Sequence, residues 1–124
     1  MSAARAQAWL ALVCALGGVA AARAGSGIYP LDWENPAEVL EYHSCGCADS
    51  CWVAELRDVR TRELRARLRC DCERMYVALD AKTPDQLYAD NCAAFEVDEV
   101  GAKPRAIIQW FERQRRADHP APTP

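Results

Sequence analysis

Histidine is nearly missing from this chain: His43 and His119 are the only two in 124 residues. That leaves little material for imidazole-based metal sites or for His-dependent acid–base catalysis. No Asn-x-Ser/Thr sequon is present, so N-glycosylation is not expected. There are no internal repeats, and no apolar run beyond residue 24 is long enough to cross a membrane. No hydrophobic C-terminal tail suggests a lipid anchor. Glycine and proline are absent between residues 48 and 83, so that stretch carries few internal stop signals. A positive excess is lacking too, since 18 acidic residues face 15 basic ones. Nucleic acid and anionic membranes both call for such an excess, so neither is an expected partner.

What is present begins with a segment unlike a fold. Arg5 precedes an almost unbroken apolar run over residues 9–22, and Ala22-Arg23-Ala24 offers small residues at the two positions a signal peptidase grips. Charge, short apolar run and A-x-A site predict a secretory signal peptide over residues 1–24. The apolar run is shorter than the ~20 residues a bilayer span takes. Cleavage after Ala24 also removes Arg5 and Arg23, leaving 13 basic against 18 acidic residues and a net charge of about −5. The remaining 100 residues suit one modest domain, for which cross-links would help.

Cys14 leaves with the leader, and six cysteines remain: Cys45, Cys47, Cys51, Cys70, Cys72 and Cys92. An even number in a short secreted chain is the mark of a disulfide framework. Six cysteines allow 15 pairings, and sequence does not choose among them. Partners two residues apart strain the bond, so the first cluster (45, 47, 51) is expected to reach across to the later one (70, 72, 92). Two sharper alternatives stand beside this. Four thiolates from Cys45, Cys47, Cys51, Cys70 and Cys72 could hold zinc, although an oxidising compartment favours disulfides. Cys45-Gly46-Cys47 could serve thiol–disulfide exchange, although no Lys or Arg lies near to lower a thiol pKa.

Along the mature chain, Asn35-Pro36-Ala37-Glu38 reads as a capped helix start, with Val39, Leu40 and Tyr42 forming its apolar face. Trp52, Val53, Leu56 and Val59 fall at helical spacing. Leu64 to Cys72 alternates strictly, and predicts a strand that buries Leu64, Ala66, Leu68, Cys70 and Cys72. A second strand follows over residues 75–79. Thr83-Pro84-Asp85-Gln86 reads as another helix start, leading towards Cys92. Pro104 opens a last helix with Ile107, Ile108 and Phe111 as a stripe and Trp110 beside it. Residues 118–124 form a Pro-rich tail expected to be disordered. The fold class predicted is α+β: a small disulfide-rich single domain over residues 25–117, with about three short helices and a small antiparallel sheet. An all-α disulfide-stapled bundle is the alternative.

Nothing in the sequence resembles a nucleophile elbow or an ordered triad. The chain is therefore read as non-enzymatic, with no cofactor and no metal site. His43 and Asp49, set among cysteines, resemble the His-Asp pair of secreted phospholipases A2, but the contiguous Cys-Cys-x-x-His-Asp and the Gly-rich calcium loop are absent. The order Cys45-x-Cys47, Cys72, Cys92 and a C-terminal amphipathic helix resembles the layout of C-x-C chemokines. The acidic charge, Cys51, Cys70 and the long segment before Cys45 depart from that pattern. On a strand, Arg65, Arg67 and Arg69 would form a basic stripe able to meet an acidic receptor or a sulfated glycan. Arg113-Gln114-Arg115-Arg116 matches the R-x-R-R pattern that secretory proprotein convertases cut. The expected function is that of a secreted ligand or modulator of an extracellular or cell-surface protein. A secretory-pathway thiol oxidoreductase using Cys45 and Cys47 and a matrix-associated structural module are the alternatives.

Overall fold

A computed structural model describes residues 27–120, 122 and 123. The expected signal peptide lies outside the described residues. Six strands run in chain order as one antiparallel meander: β1 (Tyr29–Pro30), β2 (Glu38–Gly46), β3 (Cys51–Asp58), β4 (Leu64–Asp71), β5 (Met75–Ala78) and β6 (Gln86–Ala89). One α-helix, α1 (Ala102–Asp118), closes the chain and ends one residue into the expected tail.

The expectation of about three short helices does not hold, nor does the all-α alternative. Only α1 is an α-helix among the described residues, and the sheet has six strands. The segment after Asn35 is β2, with Leu40 and Tyr42 buried while Glu41 and His43 face the other way. Asn35 still does what a cap does: its side-chain oxygen accepts the Ala37 N–H at 3.0 Å, and its carbonyl accepts that of Glu38 at 3.1 Å. This Asx turn opens a helix or a strand equally well. The segment 52–58 is β3, which buries Trp52, Ala54 and Leu56 in alternation. Thr83 donates its N–H to the Asp80 carboxylate at 2.6 Å, as the last residue of a turn, and β6 follows. By contrast β4 matches its alternation, with Leu64, Ala66, Leu68 and Cys70 buried. Cys72 falls past its end, at φ 84°.

Aspartates make the turns that glycine and proline do not. Asp58 accepts the N–H groups of Arg60 (2.8 Å) and Thr61 (2.9 Å) between β3 and β4. Asp71 accepts those of Glu73 (3.2 Å) and Arg74 (2.8 Å) between β4 and β5. Asp80 accepts those of Lys82 (2.8 Å) and Thr83 after β5. Each carboxylate thus satisfies donors a tight reversal would leave bare. Each titrates below the usual carboxylate range, driven chiefly by those N–H groups, and Asp58 falls to about 2.

One face of the sheet carries the core. Trp52 stacks on Tyr42 with ring centroids 6.1 Å apart and tilts against Phe95 at 5.6 Å. Ile107, Trp110 and Phe111 of α1 cover Leu40, Leu68, Met75 and their neighbours. An ionic latch fastens the helix to β2: Arg115 and the Trp33 indole N–H (3.1 Å) both donate to Glu38. Three disulfides complete the frame, Cys45–Cys51, Cys47–Cys72 and Cys70–Cys92. Only Cys47–Cys72 crosses from the early cluster to the late one, against the expectation of three such bridges. The meander explains this. Cys45 and Cys51 end paired strands across one hairpin, whereas Cys92 returns beneath β4 after β6.

Candidate functional site

The exposed β2–β3 connection is held in a constrained conformation. A bulge between Ser44 and Gly46 turns the chain out of β2, and Gly46 takes φ 118°, a conformation that suits a residue without Cβ. Cys47, Ala48 and Asp49 then follow in the left-handed region at φ 53°, 51° and 70°. Such a conformation costs an L-residue about 1–2 kcal/mol, so three in succession persist only where other contacts hold them. Those contacts are visible. Cys45–Cys51 closes the loop on itself, and Cys47–Cys72 ties its tip to the β4–β5 turn. The Cys72 N–H donates to the Ser50 carbonyl at 3.0 Å. Lys103 of α1 donates to the Asp49 carbonyl at 2.6 Å and its carboxylate at 2.9 Å. The Tyr42 hydroxyl donates to the same carboxylate at 2.8 Å.

Electrostatics follow from this geometry. Partial burial pushes the Asp49 carboxyl up, but hydrogen bonds from Lys103 and Tyr42 outweigh it and hold it below its ordinary value. Burial, and then the bond to Asp49, pushes the Tyr42 phenol up, so it stays protonated and donating. Residues 45–49 are nonetheless exposed to solvent. The result is an open loop whose shape is fixed by contacts within the molecule.

The sheet face away from α1 holds the expected arginine stripe. Arg65, Arg67 and Arg69 do lie along one side of β4, and each has acidic partners. Arg65 pairs with Asp58 at 3.2 Å. Arg67 pairs with Glu55 and Asp85, both at 3.3 Å. Arg69 pairs with Asp85 and lies 4.2 Å from the Tyr76 ring centroid. Arg57 joins through Glu55, and Arg62 meets Glu41 at 2.8 Å. Burial pushes the Asp85 carboxyl up, but Arg69 and Arg67 hold it below its ordinary value. The stripe is therefore a lattice of matched charges rather than a free basic ridge. His43 sits mid-strand on this face, opposite Val53. Asp49 bonds Tyr42 and Lys103 rather than His43.

The Arg113, Arg115 and Arg116 cluster lies in α1. Arg113 and Arg116 are exposed, while Arg115 is held by Glu38. The thiols of Cys45 and Cys47 are not bonded to each other but to Cys51 and Cys72. Among the described residues no group of three or more His, Cys, Asp or Glu side chains is placed to hold a metal ion. Nor is any helix among them long and apolar enough to cross a membrane.

Sequence reasoning missed Tyr42, Lys103, Asp85 and the three turn aspartates. Of the last, Asp80 had a readable signal, because it directly follows the apolar run over residues 75–79. Lys103 had none, because it meets Asp49 across 54 residues. A small disulfide-rich domain of this kind is compatible with an extracellular location. No family model matches the chain, and neither does any curated protein or solved structure.

Proposed function

We propose that the chain is a secreted, non-enzymatic ligand or modulator that docks on an extracellular or cell-surface protein through the 45–51 loop. The observation that carries this reading is the loop itself, which is exposed yet fixed by two disulfides, a lysine from α1 and a buried phenol. Ordering a loop on binding costs affinity, and a loop already ordered avoids that loss. Left-handed backbone at non-glycine residues also concentrates where a chain performs its function. The leader-like residues 1–24 and the six paired cysteines agree with export. The matched charges on the open face leave that face a supporting role.

The test is saturable binding of labelled protein to intact cells, comparing wild type with Ala48→Arg. Ala48 is exposed and already left-handed, so the substitution places bulk and charge on the loop tip without disturbing the core. Saturable binding that weakens about tenfold or more in Ala48→Arg, with the disulfides intact by mass, is the expected result. Binding that does not saturate, or that ignores the substitution, would remove the proposal.

A further inference from the structure

Beside the stapled loop, between β1 and the segment entering α1, lies an open hollow of about 480 Å³. Its floor is aromatic, with Tyr42 and Phe95 buried at 4 % exposure each. Its walls are apolar side chains that nothing among the described residues covers: Tyr29 is 49 % exposed, Val97 47 % and Val100 95 %. A valine so fully exposed adds nothing to the core, and apolar groups gathered around a concavity mark a place where something docks. The Ala102 N–H, donating to the Glu99 carbonyl at 3.0 Å, and Gly101 at φ 78° fix the turn that presents these residues.

The charge around the hollow selects the occupant. Glu96 and Asp98 alternate with the valines and have no ion-pair partner among the described residues. Glu99 reaches Arg105 at 3.3 Å, but both side chains are mostly exposed and the pair is weak. Among the described residues the single basic side chain lining the hollow, Lys103, has its ammonium bonded to Asp49. Apolar walls under an acidic rim fit a lysine or arginine, whose alkyl stem lies on apolar surface while its head stays polar. The exposed Tyr29 ring offers a face to the same cation.

Resting on the reading of the chain as a protein-binding module, we propose that this hollow takes a basic segment of the partner protein, seating an arginine or lysine between Tyr29 and the valines against Glu96 and Asp98. The stapled loop then forms one lip of the same contact surface. The acidic balance of the chain favours the encounter, because attraction between complementary surfaces raises the association rate.

The test is titration of the isotope-labelled protein with acetyl-Leu-Arg-Leu-Arg-Leu-amide, followed by amide chemical shifts, with the Glu-for-Arg peptide as control. Shifts confined to residues 29, 49, 95–101 and 103 are expected, with no response to the acidic peptide. Affinity should fall about tenfold in Glu96→Gln with Asp98→Asn, and again in Val97→Ser with Val100→Ser. All four side chains are exposed, so these variants fold. Shifts scattered over the acids at the far end of the sheet, or serine variants that bind as well as wild type, would overturn the inference. The cell-binding assay separates the two claims. Binding that depends on Ala48 but survives the Glu96 and Asp98 replacements leaves the docking loop standing and removes the hollow. Binding indifferent to both removes the underlying reading, whatever the peptide does.

Discussion

Replacing Cys70 and Cys92 together by alanine should destabilise this domain far more than replacing Cys45 and Cys51. The reason lies in the lengths of chain each bridge closes. Cys70–Cys92 spans 22 residues of sequence and Cys45–Cys51 only 6. Restriction of the unfolded chain then gives about 3.5 kcal/mol for the first and about 2 kcal/mol for the second, taking each loop by itself. Burial widens the gap. Cys70 is 1 % exposed and Cys92 3 %, both within the core cluster, so truncation also removes packed sulfur at about 1 kcal/mol. Cys45 is exposed and has no such contribution to lose. The buried bridge should therefore cost about 4–5 kcal/mol, comparable with the whole stability of many small domains, which is about 5–15 kcal/mol. Urea unfolding followed by tryptophan fluorescence reads this directly, since Trp52 and Trp110 both lie in the core. The Cys70/Cys92 variant should unfold at a much lower urea midpoint or be unfolded in buffer, while the Cys45/Cys51 variant keeps a cooperative transition. Equal midpoints, or a larger loss for Cys45/Cys51, would refute the reasoning from loop length and burial.

Other predictions concern charge. Asp49, Asp58, Asp71, Asp80 and Asp85 all titrate below their ordinary value in the folded chain. Their contribution is complete above the unfolded carboxylate pKa and lost as pH falls through the folded one. The melting temperature should be level above about pH 5 and drop between about pH 4 and 2, less steeply in Asp58→Asn; a rise on acidification would contradict this. Glu38→Ala should cost about 1.5–3 kcal/mol, because the carboxylate is 9 % exposed and receives both Arg115 and Trp33; a loss below about 0.5 kcal/mol would mean that solvent screens the pair. Cleavage after Arg116 by a proprotein convertase should be slow in the intact protein and several-fold faster in Glu38→Gln, which frees the last turns of α1; equal rates would show that the latch does not guard the site. On heparin the chain should elute at or below about 0.15 M salt, unaltered by replacing Arg65, Arg67 and Arg69 with glutamine; strong retention that those changes abolish would mean the ion pairs open for a glycan.

The amino-acid sequence by itself determined those parts of the molecule whose signal is local and unshared. Strict alternation over residues 64–70 can bury one face only as a strand, and β4 buries that face. The stripe of Ile107, Ile108 and Phe111 with Trp110 beside it belongs to a helix, and α1 is that helix, burying Ile107, Trp110 and Phe111 while Ile108 stays partly buried. An even number of cysteines in a short chain with a leader-like start pointed to disulfides, and three are present. Tertiary structure decided the rest, because the remaining local signals serve two conformations. The Asx turn at Asn35 and the Thr-Pro step at Thr83 can open a helix as readily as a strand, and pairing with the neighbouring strands selected the strand. Pairing of the cysteines depended on which strand ends the meander brings together. The fate of the arginine stripe depended on Glu55 and Asp85, which arrive from other strands and turns. The rigidity of the 45–51 loop depended on Lys103, delivered by a helix 54 residues away in sequence, where no local pattern could announce it.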